Sequence, residues 1–130
     1  MAYTRNVPEG KFVAWGKKKA KENSHIVKEG STLEGTIVEV KDSDKYFKVF
    51  ELSVEGVDEN VIIPATKRIR DETGYAANKE GNNWKPLPLD KQKAQSQVKV
   101  GDKLRFHFEG MKKTTTGNDL YDIWVEVDAA

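Results

Sequence analysis

The sequence predicts an all-β domain with little helix, in which five strands form a small coiled barrel. Hydrophobic residues alternate with polar ones in several runs between residues 32 and 127, as in half-buried strands. A glycine and a change of hydrophobic phase interrupt the first run, which indicates a bulge or a sharp coil. The third and fourth runs are separated by residues 65–100, whose first part can form a short helix.

Composition limits the class of protein. The chain has 130 residues and no cysteine, which fits a single domain and excludes disulfides and zinc–thiolate sites. No apolar run approaches membrane-spanning length, and the opening MAYTRNVPEGKF contains no hydrophobic signal region. We therefore expect a soluble, cytoplasmic protein that does not interact with membranes.

Charge is unevenly distributed along the chain, although the net charge is only +1. Residues 1–30 carry +4 and residues 65–113 carry +6, whereas residues 31–64 and 114–130 carry −5 and −4. A near-neutral total can hide a basic surface, and a segregated distribution is typical of nucleic-acid-binding proteins. A well-mixed soluble surface is the alternative interpretation.

The domain is predicted to span residues 31–128, preceded by a basic N-terminal arm, residues 1–30. The arm is irregular, with one short strand or turn around residues 12–15. Strand one covers Thr32–Val40 and contains the interrupting glycine, Gly35.

Strand two covers Tyr46–Val54, and its even-numbered positions, beginning with Tyr46, are expected to face the core. Phe47 then lies on the outer face, which is an unusual position for a large aromatic side chain. Strand three covers Asn60–Pro64 and ends at its proline.

The segment between strands three and four has a different character. Residues 65–73 are predicted to form a short helix and residues 74–97 a long loop, which in a compact domain is usually functional or mobile. Because OB folds carry a helix at this place, the prediction is a five-stranded OB-type barrel with a helix-and-loop excursion over residues 65–100. An SH3-like barrel is the main structural alternative.

Strands four and five, Lys103–Glu109 and Leu120–Val127, are predicted to form a hairpin. Gly117 and Asn118 supply the permissive turn geometry. Leu104, Phe106 and Phe108 are expected to face the core, as are the odd-numbered positions of strand five, while its even-numbered positions face outward.

No catalytic or cofactor motif is present. The segment EGMKKTTTGNDLYDIW has glycines, lysines and threonines but lacks the spacing of a phosphate-binding P-loop. His25 and His107 are the only histidines, lie far apart in the sequence and have no carboxylates at metal-binding spacing. We therefore expect no enzymatic activity, no cofactor and no bound metal.

Basic and aromatic residues occur together on segments that are expected to be exposed. Single-stranded nucleic acid needs cations for its phosphates and flat rings for its unstacked bases. No recognition helix for duplex DNA is apparent. The candidate nucleic-acid-binding residues are Trp15, Lys17, Lys18, Lys19, Phe47, Lys67, Arg68, Arg70, Tyr75, Trp84, Lys85, Arg105, His107, Lys112 and Lys113.

Phe47 is the preferred stacking residue, because OB folds bind single strands across strands two and three, and Trp84 in the long loop is the second. Alternatively, Phe47 lies in a dimer interface or covers the long loop, and Trp84 fills a surface groove. Trp124 lies between two acidic residues, a poor setting for phosphate. It is expected to pack under the N-terminal arm or against a neighbouring subunit.

Two stretches of the chain resemble a known family. LEGTIVEV, YFKVFELSVEG and VIIPATKRI, followed by VKVGDKLRFHFEGMKKTTTGNDLYDIWVEV, are similar to the small OB-fold single-stranded DNA-binding proteins of bacteriophages. The resemblance is one of pattern and covers residues 31–64 and 98–127. It implies a homodimer or higher oligomer that coats single-stranded DNA in the host cytoplasm, without strong sequence preference, during replication or recombination.

The same resemblance implies a binding surface and partners. Phe47 on strand two, Arg105 and His107 on strand four, and Lys112 and Lys113 in the final hairpin would form the surface. Replication or recombination proteins would be the protein partners. Two other functions remain open, an OB-type protein-interaction or assembly module and a single-stranded RNA binder.

Overall fold

The computed structural model describes residues 11–16, 24–94, 96–113, 115–117 and 119–130, without the side chains of residues 119 and 120. This part of the chain is mostly β, with one curled sheet and one helix, so the predicted all-β class with little helix is confirmed. The elements are β1 Lys11–Trp15, β2 Ser24–Val27, β3 Thr32–Ser43, β4 Phe47–Ser53, β5 Val61–Pro64, α1 Lys67–Thr73, β6 Ala77–Glu80, β7 Asn83–Pro86, a 3₁₀ turn Leu89–Lys91, β8 Lys103–Lys113 and β9 Asp119–Asp128.

Seven strands form the curled sheet, in the order β2-β1-β5-β4-β3-β8-β9. The neighbours are antiparallel except that β1 pairs in parallel with both β2 and β5. The five predicted strands correspond to β3, β4, β5, β8 and β9, which lie side by side. The described part of the predicted arm therefore extends the sheet through β1 and β2 instead of lying outside it.

Part of the predicted 74–97 loop is also ordered as strands. Residues 77–86 form a two-stranded antiparallel hairpin, β6–β7, which is separate from the main sheet. Its exposed residues are mostly polar, so it has no apolar face from which alternation could be read. A short polar hairpin is marginal by itself and depends on contacts with the rest of the protein.

The core lies between the curled sheet and α1, as the alternation in strands two and four predicts. Phe50 and Leu52 of β4 and Leu104 and Phe106 of β8 are completely buried, and Phe108 is nearly so. Tyr46 is an exception, because it is half-buried in the turn before β4 instead of in the core. The alternation fails there because Phe47 has a φ of 69°, which breaks the extended backbone.

The interruption in strand one is a bulge, as predicted. The register of β3 with β4 shifts between Ile37 and Glu39. Gly35 lies just before it, where a Cβ atom would come within 2.9 Å of the backbone oxygen of Ser53. Strand β4 can therefore approach β3 closely only because residue 35 lacks a side chain.

A second register shift, between Phe108 and Gly110, separates the two ends of the β8–β9 pair. Asp122, predicted to face outward, is 6% exposed, because Lys112 of β8 and Arg68 of α1 lie over its carboxylate. Val127, predicted to face inward, is 44% exposed, because it lies near the end of the edge strand β9.

Helix α1 packs beside β9 and was predicted at nearly the same residues. It ends at Gly74, whose φ of 87° gives a left-handed cap with a hydrogen bond to the backbone oxygen of Arg70. The carboxylate of Glu72 accepts a 2.6 Å hydrogen bond from the backbone N–H of Val125 in β9. No helix among the described residues is long and apolar enough to cross a membrane.

Asp102 fixes the turn before β8. It is 2% exposed, and its carboxylate accepts hydrogen bonds from the backbone N–H groups of Ala130, at 3.0 Å, and Lys99, at 2.9 Å. These two N–H groups, that of Ala130 foremost, hold the pKa of Asp102 below its usual value, against the opposing effect of burial.

Replacing Asp102 by Asn is expected to lower the free energy of unfolding by about 1–3 kcal/mol at neutral pH, because a charge-assisted hydrogen bond is lost. A carboxylate with a depressed pKa stabilises the fold above its unfolded-state pKa, and this contribution is lost as the pH falls through the folded-state pKa. Urea unfolding of both proteins at neutral pH and at about pH 2 checks this. A difference that stays constant with pH contradicts the assignment.

Candidate nucleic-acid interface

A shallow groove of about 350 Å³ lies on the outer face of β4 and β5, beside β1 and the β3–β4 turn. Strand register explains its floor: Phe12 of β1 lies opposite Ile62 of β5, and Val49 of β4 lies opposite Pro64. Apolar side chains thus cover the outside of a sheet whose other side is the core. An apolar strip on the outer face of strands is a surface suited to flat ligands.

Two aromatic side chains and two lysines line this groove, together with the carboxylate of Asp42. Phe12 is 50% exposed, and Tyr46 is half-buried in the β3–β4 turn. The ammonium of Lys45 lies 5.4 Å from the centre of the Tyr46 ring. Lys41 lines the groove from β3. The groove therefore presents both rings that can stack and cations that can meet a phosphate.

Carboxylates moderate the positive charge of the groove. The Lys41 ammonium lies 3.6 Å from Glu51 and 3.7 Å from Glu39. Glu51 is 7% exposed, so Lys41 balances a buried negative charge. Attraction of phosphate to this groove must consequently be weaker than its lysines alone would suggest.

The two preferred stacking residues, Phe47 and Trp84, contact each other. Their ring centres are 5.8 Å apart, and the ammonium of Lys48 lies 5.0 Å from the Phe47 ring. Trp84 also lies 4.6 Å from the Arg70 guanidinium and donates a 2.8 Å hydrogen bond to the backbone oxygen of Asp44. This arrangement matches the alternative interpretation, in which Phe47 covers the 74–97 segment and Trp84 fills a groove.

Three predicted binding residues are buried, and their expected exposure is corrected here. Trp15 is 7% exposed because its ring packs against Phe106 and Phe108 in the core. Tyr75 is 9% exposed, and its hydroxyl donates to the backbone oxygen of Val98. Arg70 is 8% exposed and donates to backbone oxygens beside the β3–β4 turn.

The other predicted binding cations between residues 65 and 100 are exposed and paired. Lys67 and Arg68 form ion pairs with Asp71 and Glu72 one helical turn later, at 3.1 and 3.2 Å. Lys85 of the β6–β7 hairpin lies 2.8 Å from Glu80. Exposed pairs of this kind exchange partners at little cost, so these residues remain able to meet a phosphate.

Arg105 and His107 lie on the outer face of β8, as predicted, but among carboxylates. Arg105 is 3.4 Å from Glu34 and 3.8 Å from Glu126, and His107 is hydrogen-bonded to Glu126. Trp124 stacks on His107, with ring centres 3.7 Å apart and planes at 8°, and is 38% exposed. Within the described residues, the Trp124 ring therefore packs on the imidazole of His107, and its expected contact with the arm or with a neighbouring subunit stays a prediction.

The two lysines of the β8–β9 hairpin have different surroundings. Lys112 lies 2.8 Å from the buried carboxylate of Asp122, which Arg68 also approaches, at 3.8 Å. Lys113 is exposed at the next position. Lys112 therefore stabilises the fold, whether or not it also contacts a ligand.

Replacing Lys112 by Met is expected to lower the free energy of unfolding by about 1–2 kcal/mol, because among the described residues Asp122 then keeps only the more distant Arg68 as an ion-pair partner. The matched control Lys113→Met is expected to change it by less than about 0.5 kcal/mol. Urea denaturation of both variants measures the difference. Equal effects would show that the Lys112–Asp122 pair contributes nothing specific.

Lys17, Lys18 and Lys19 lie outside the described residues. Sequence reasoning missed four residues of the groove: Phe12, Lys41, Lys45 and Tyr46. Lys45 and Tyr46 could have been found from the polar turn KDSDKY, which carries a cation beside a ring. Phe12 could not, since its place beside Ile62 depends on a parallel pairing between distant segments.

A second groove, of about 610 Å³, lies between β2 and the far part of β8. Trp15 and Phe108 form its floor, and Ile26 and Met111, 46% and 51% exposed, form its walls. This groove is apolar and lies apart from the aromatic pair of Phe12 and Tyr46. It offers a surface for a protein more than for a charged polymer.

Within the part of the chain that the structure describes, no three His, Asp or Glu side chains come together as metal ligands. Comparisons of the chain with protein-family models, with curated proteins and with solved structures gave no match. The fold and the groove are therefore the features from which a function can be proposed.

Proposed function

We propose that the protein binds single-stranded DNA, with little sequence preference, in the groove between Phe12 and Tyr46. The observation that supports this most directly is the combination of two rings, two lysines and an apolar floor on the outer face of β4 and β5. Unstacked bases bury their faces against such rings, and the backbone remains near the cations. The chemistry needs no base-specific hydrogen bond, which accounts for the lack of sequence preference.

The strand arrangement supports an OB-type barrel. Strands β3, β4 and β5 form an antiparallel meander, β3 also pairs with β8, and β8 pairs with β9. Helix α1 lies between β5 and β8 in the chain, as expected for an OB fold. In such folds the face of strands two and three, here β4 and β5, binds oligonucleotides. The groove lies on that face.

The charges of the groove predict a weak dependence on salt. Lys41 and Lys45 could neutralise at most about two phosphates, because Lys41 is also paired with Glu51, so the slope in a plot of log K against log salt concentration should be no steeper than about −1.4. The basic residues of the β6–β7 hairpin and of α1 would make this slope steeper only if the bound DNA strand extends beyond the groove. A slope much steeper than this would indicate that the bound DNA contacts more of the protein surface than the groove.

Fluorescence anisotropy of a labelled oligo-dT at low salt tests the proposal. A labelled oligonucleotide is a more direct reporter than total tryptophan fluorescence, because Trp15 is buried and Trp124 lies on another face. Binding to oligo-dT that exceeds binding to a duplex of the same length is the expected result. A comparison of oligo-dU with oligo-rU, which differ only in the 2′-hydroxyl, distinguishes DNA from RNA. No change of anisotropy at low salt would exclude the proposal.

A protein-interaction or assembly module is the second candidate function. The exposed side chains of Ile26 and Met111 at the apolar second groove favour it. Sedimentation velocity over a range of concentrations tests the expected homodimer or higher oligomer. If this groove is the contact, Met111→Glu should give a monomer and leave oligo-dT binding unchanged. An unchanged oligomer would place any self-contact elsewhere.

A further inference from the structure

The β3–β4 turn, residues 43–47, is held from the side opposite the groove. The indole N–H of Trp84 donates a 2.8 Å hydrogen bond to the backbone oxygen of Asp44. The guanidinium of Arg70 donates a 3.3 Å hydrogen bond to the backbone oxygen of Tyr46. Side chains from α1 and β7 thus contact the backbone of the turn, while its Tyr46 side chain lines the groove.

The backbone of this turn has an unfavourable conformation. Phe47 has a φ of 69° and is the only non-glycine residue with a positive φ among the described residues. A bulky side chain adopts this conformation only where its surroundings enforce it. The contact of the Phe47 ring with Trp84, at 5.8 Å, is such an enforcing contact. Strain held in this way is common beside ligand-binding positions.

Burying the guanidinium of Arg70 costs desolvation free energy that its contacts offset only in part. It is 8% exposed, forms no ion pair within the described residues, and its Nε atom has no hydrogen-bond partner there. Its Nη1 atom instead donates to two backbone oxygens, those of Ala65 at 2.8 Å and Tyr46 at 3.3 Å. A buried cation contributes little net stability unless it is fully paired, and in some proteins such a group specifies a conformation.

We propose that Arg70 and Trp84 are positioning residues, which hold the β3–β4 turn so that the Tyr46 ring stays ready to stack on a base. This rests on the proposed function of the groove. The two residues act through Tyr46, and neither needs to contact the bound DNA. Their effect on binding comes from preorganisation, because a turn that is already ordered loses less freedom when the ligand binds.

A double-mutant cycle between Trp84 and Tyr46 tests the proposal. Trp84→Ala is expected to weaken oligo-dT binding about threefold to tenfold when Tyr46 is present. In a Tyr46→Ala background the same change should have almost no effect, because there is no ring left to position. The salt slope should be unchanged, since no phosphate contact is lost. An equal loss in both backgrounds would overturn the proposal and indicate direct contact of Trp84 with DNA.

Two further variants make the test specific. Trp84→Phe keeps a ring against Phe47 but lacks the N–H that bonds to Asp44, so an intermediate loss is expected. Lys85→Ala, on the neighbouring position of β7, is the control and should not couple to Tyr46. Circular dichroism of each variant establishes that the fold is retained.

Hydrogen exchange supplies a readout that needs no DNA. In Trp84→Ala the amides of residues 43–47 are expected to exchange at least about tenfold faster, while those of β8 stay unchanged. Unchanged exchange in the turn would overturn the positioning role. If the wild-type protein binds no oligo-dT, the proposed function fails and the inference with it. If it binds but the cycle is additive, only the inference fails.

Discussion

Replacing Tyr46 and Phe12 by alanine is expected to abolish most of the affinity for oligo-dT. A base stacked on an aromatic side chain contributes about 1–3 kcal/mol, so each single change should weaken binding about fivefold to 150-fold. The two rings line the same groove but come from the β3–β4 turn and from β1. If each stacks on its own base, the two losses in binding free energy should add.

Anisotropy titrations at low salt measure these losses, and two variants serve as controls. Tyr46→Phe keeps the ring and should bind like the wild type. Trp124→Ala removes an aromatic side chain that is 38% exposed on another face, and it should leave the affinity unchanged. Phe12 is half exposed, so its removal should scarcely affect folding. Binding by Phe12→Ala/Tyr46→Ala within about twofold of the wild type would exclude this groove as the DNA site.

The alternation of hydrophobic residues was a reliable guide in β8, which is extended and has one face on the core. Leu104, Phe106 and Phe108 are buried as predicted, because the register of β8 with β3 stays regular over residues 103–107 and Phe108 follows directly. The helix after β5 could also be predicted, since Pro64 ends the strand and Gly74 can adopt the left-handed cap. Local backbone rules were sufficient for both.

The same alternation failed where the backbone departs from the extended conformation. Tyr46 was assigned to the core because it shares the parity of Phe50, but the positive φ of Phe47 interrupts the sequence of alternating faces. Nothing in the residue type signals this, since a positive φ is ordinarily found at glycine or asparagine. The ring of Tyr46, which lines the groove, was consequently placed on the wrong side of the sheet.

Contacts between distant parts of the chain account for the remaining differences between the predicted and the observed site. Phe47 and Trp84 were each recognised as unusual aromatic residues, but their mutual contact joins positions far apart in the chain. The polar hairpin that carries Trp84 has no hydrophobic pattern of its own. The parallel pairing of β1 with β5, which brings Phe12 to the groove, likewise depends on the whole sheet. Propensity and periodicity are local properties and do not contain this information.

Replacing Trp15 by alanine is expected to lower the free energy of unfolding by about 3–5 kcal/mol. Its ring is 7% exposed and lies 5.7 Å from Phe108 and 6.0 Å from Phe106, so the change leaves a cavity in the core. Trp124, which is 38% exposed, gives the contrast. Trp124→Ala loses one stacking contact with His107 and a 3.2 Å hydrogen bond to Glu109, and should cost about 1 kcal/mol.

Urea denaturation of both variants distinguishes a core role for Trp15 from the DNA-binding role that its neighbouring lysines first suggested. If burial explains Trp15, the folded fraction of Trp15→Ala should bind oligo-dT with wild-type affinity, because its ring never faces the strand. If Trp15→Ala instead unfolds no more easily than Trp124→Ala and binds less tightly, the ring contributes to recognition. Stability and affinity must therefore be measured on the same preparation, since unfolded protein in the sample would otherwise imitate weak binding.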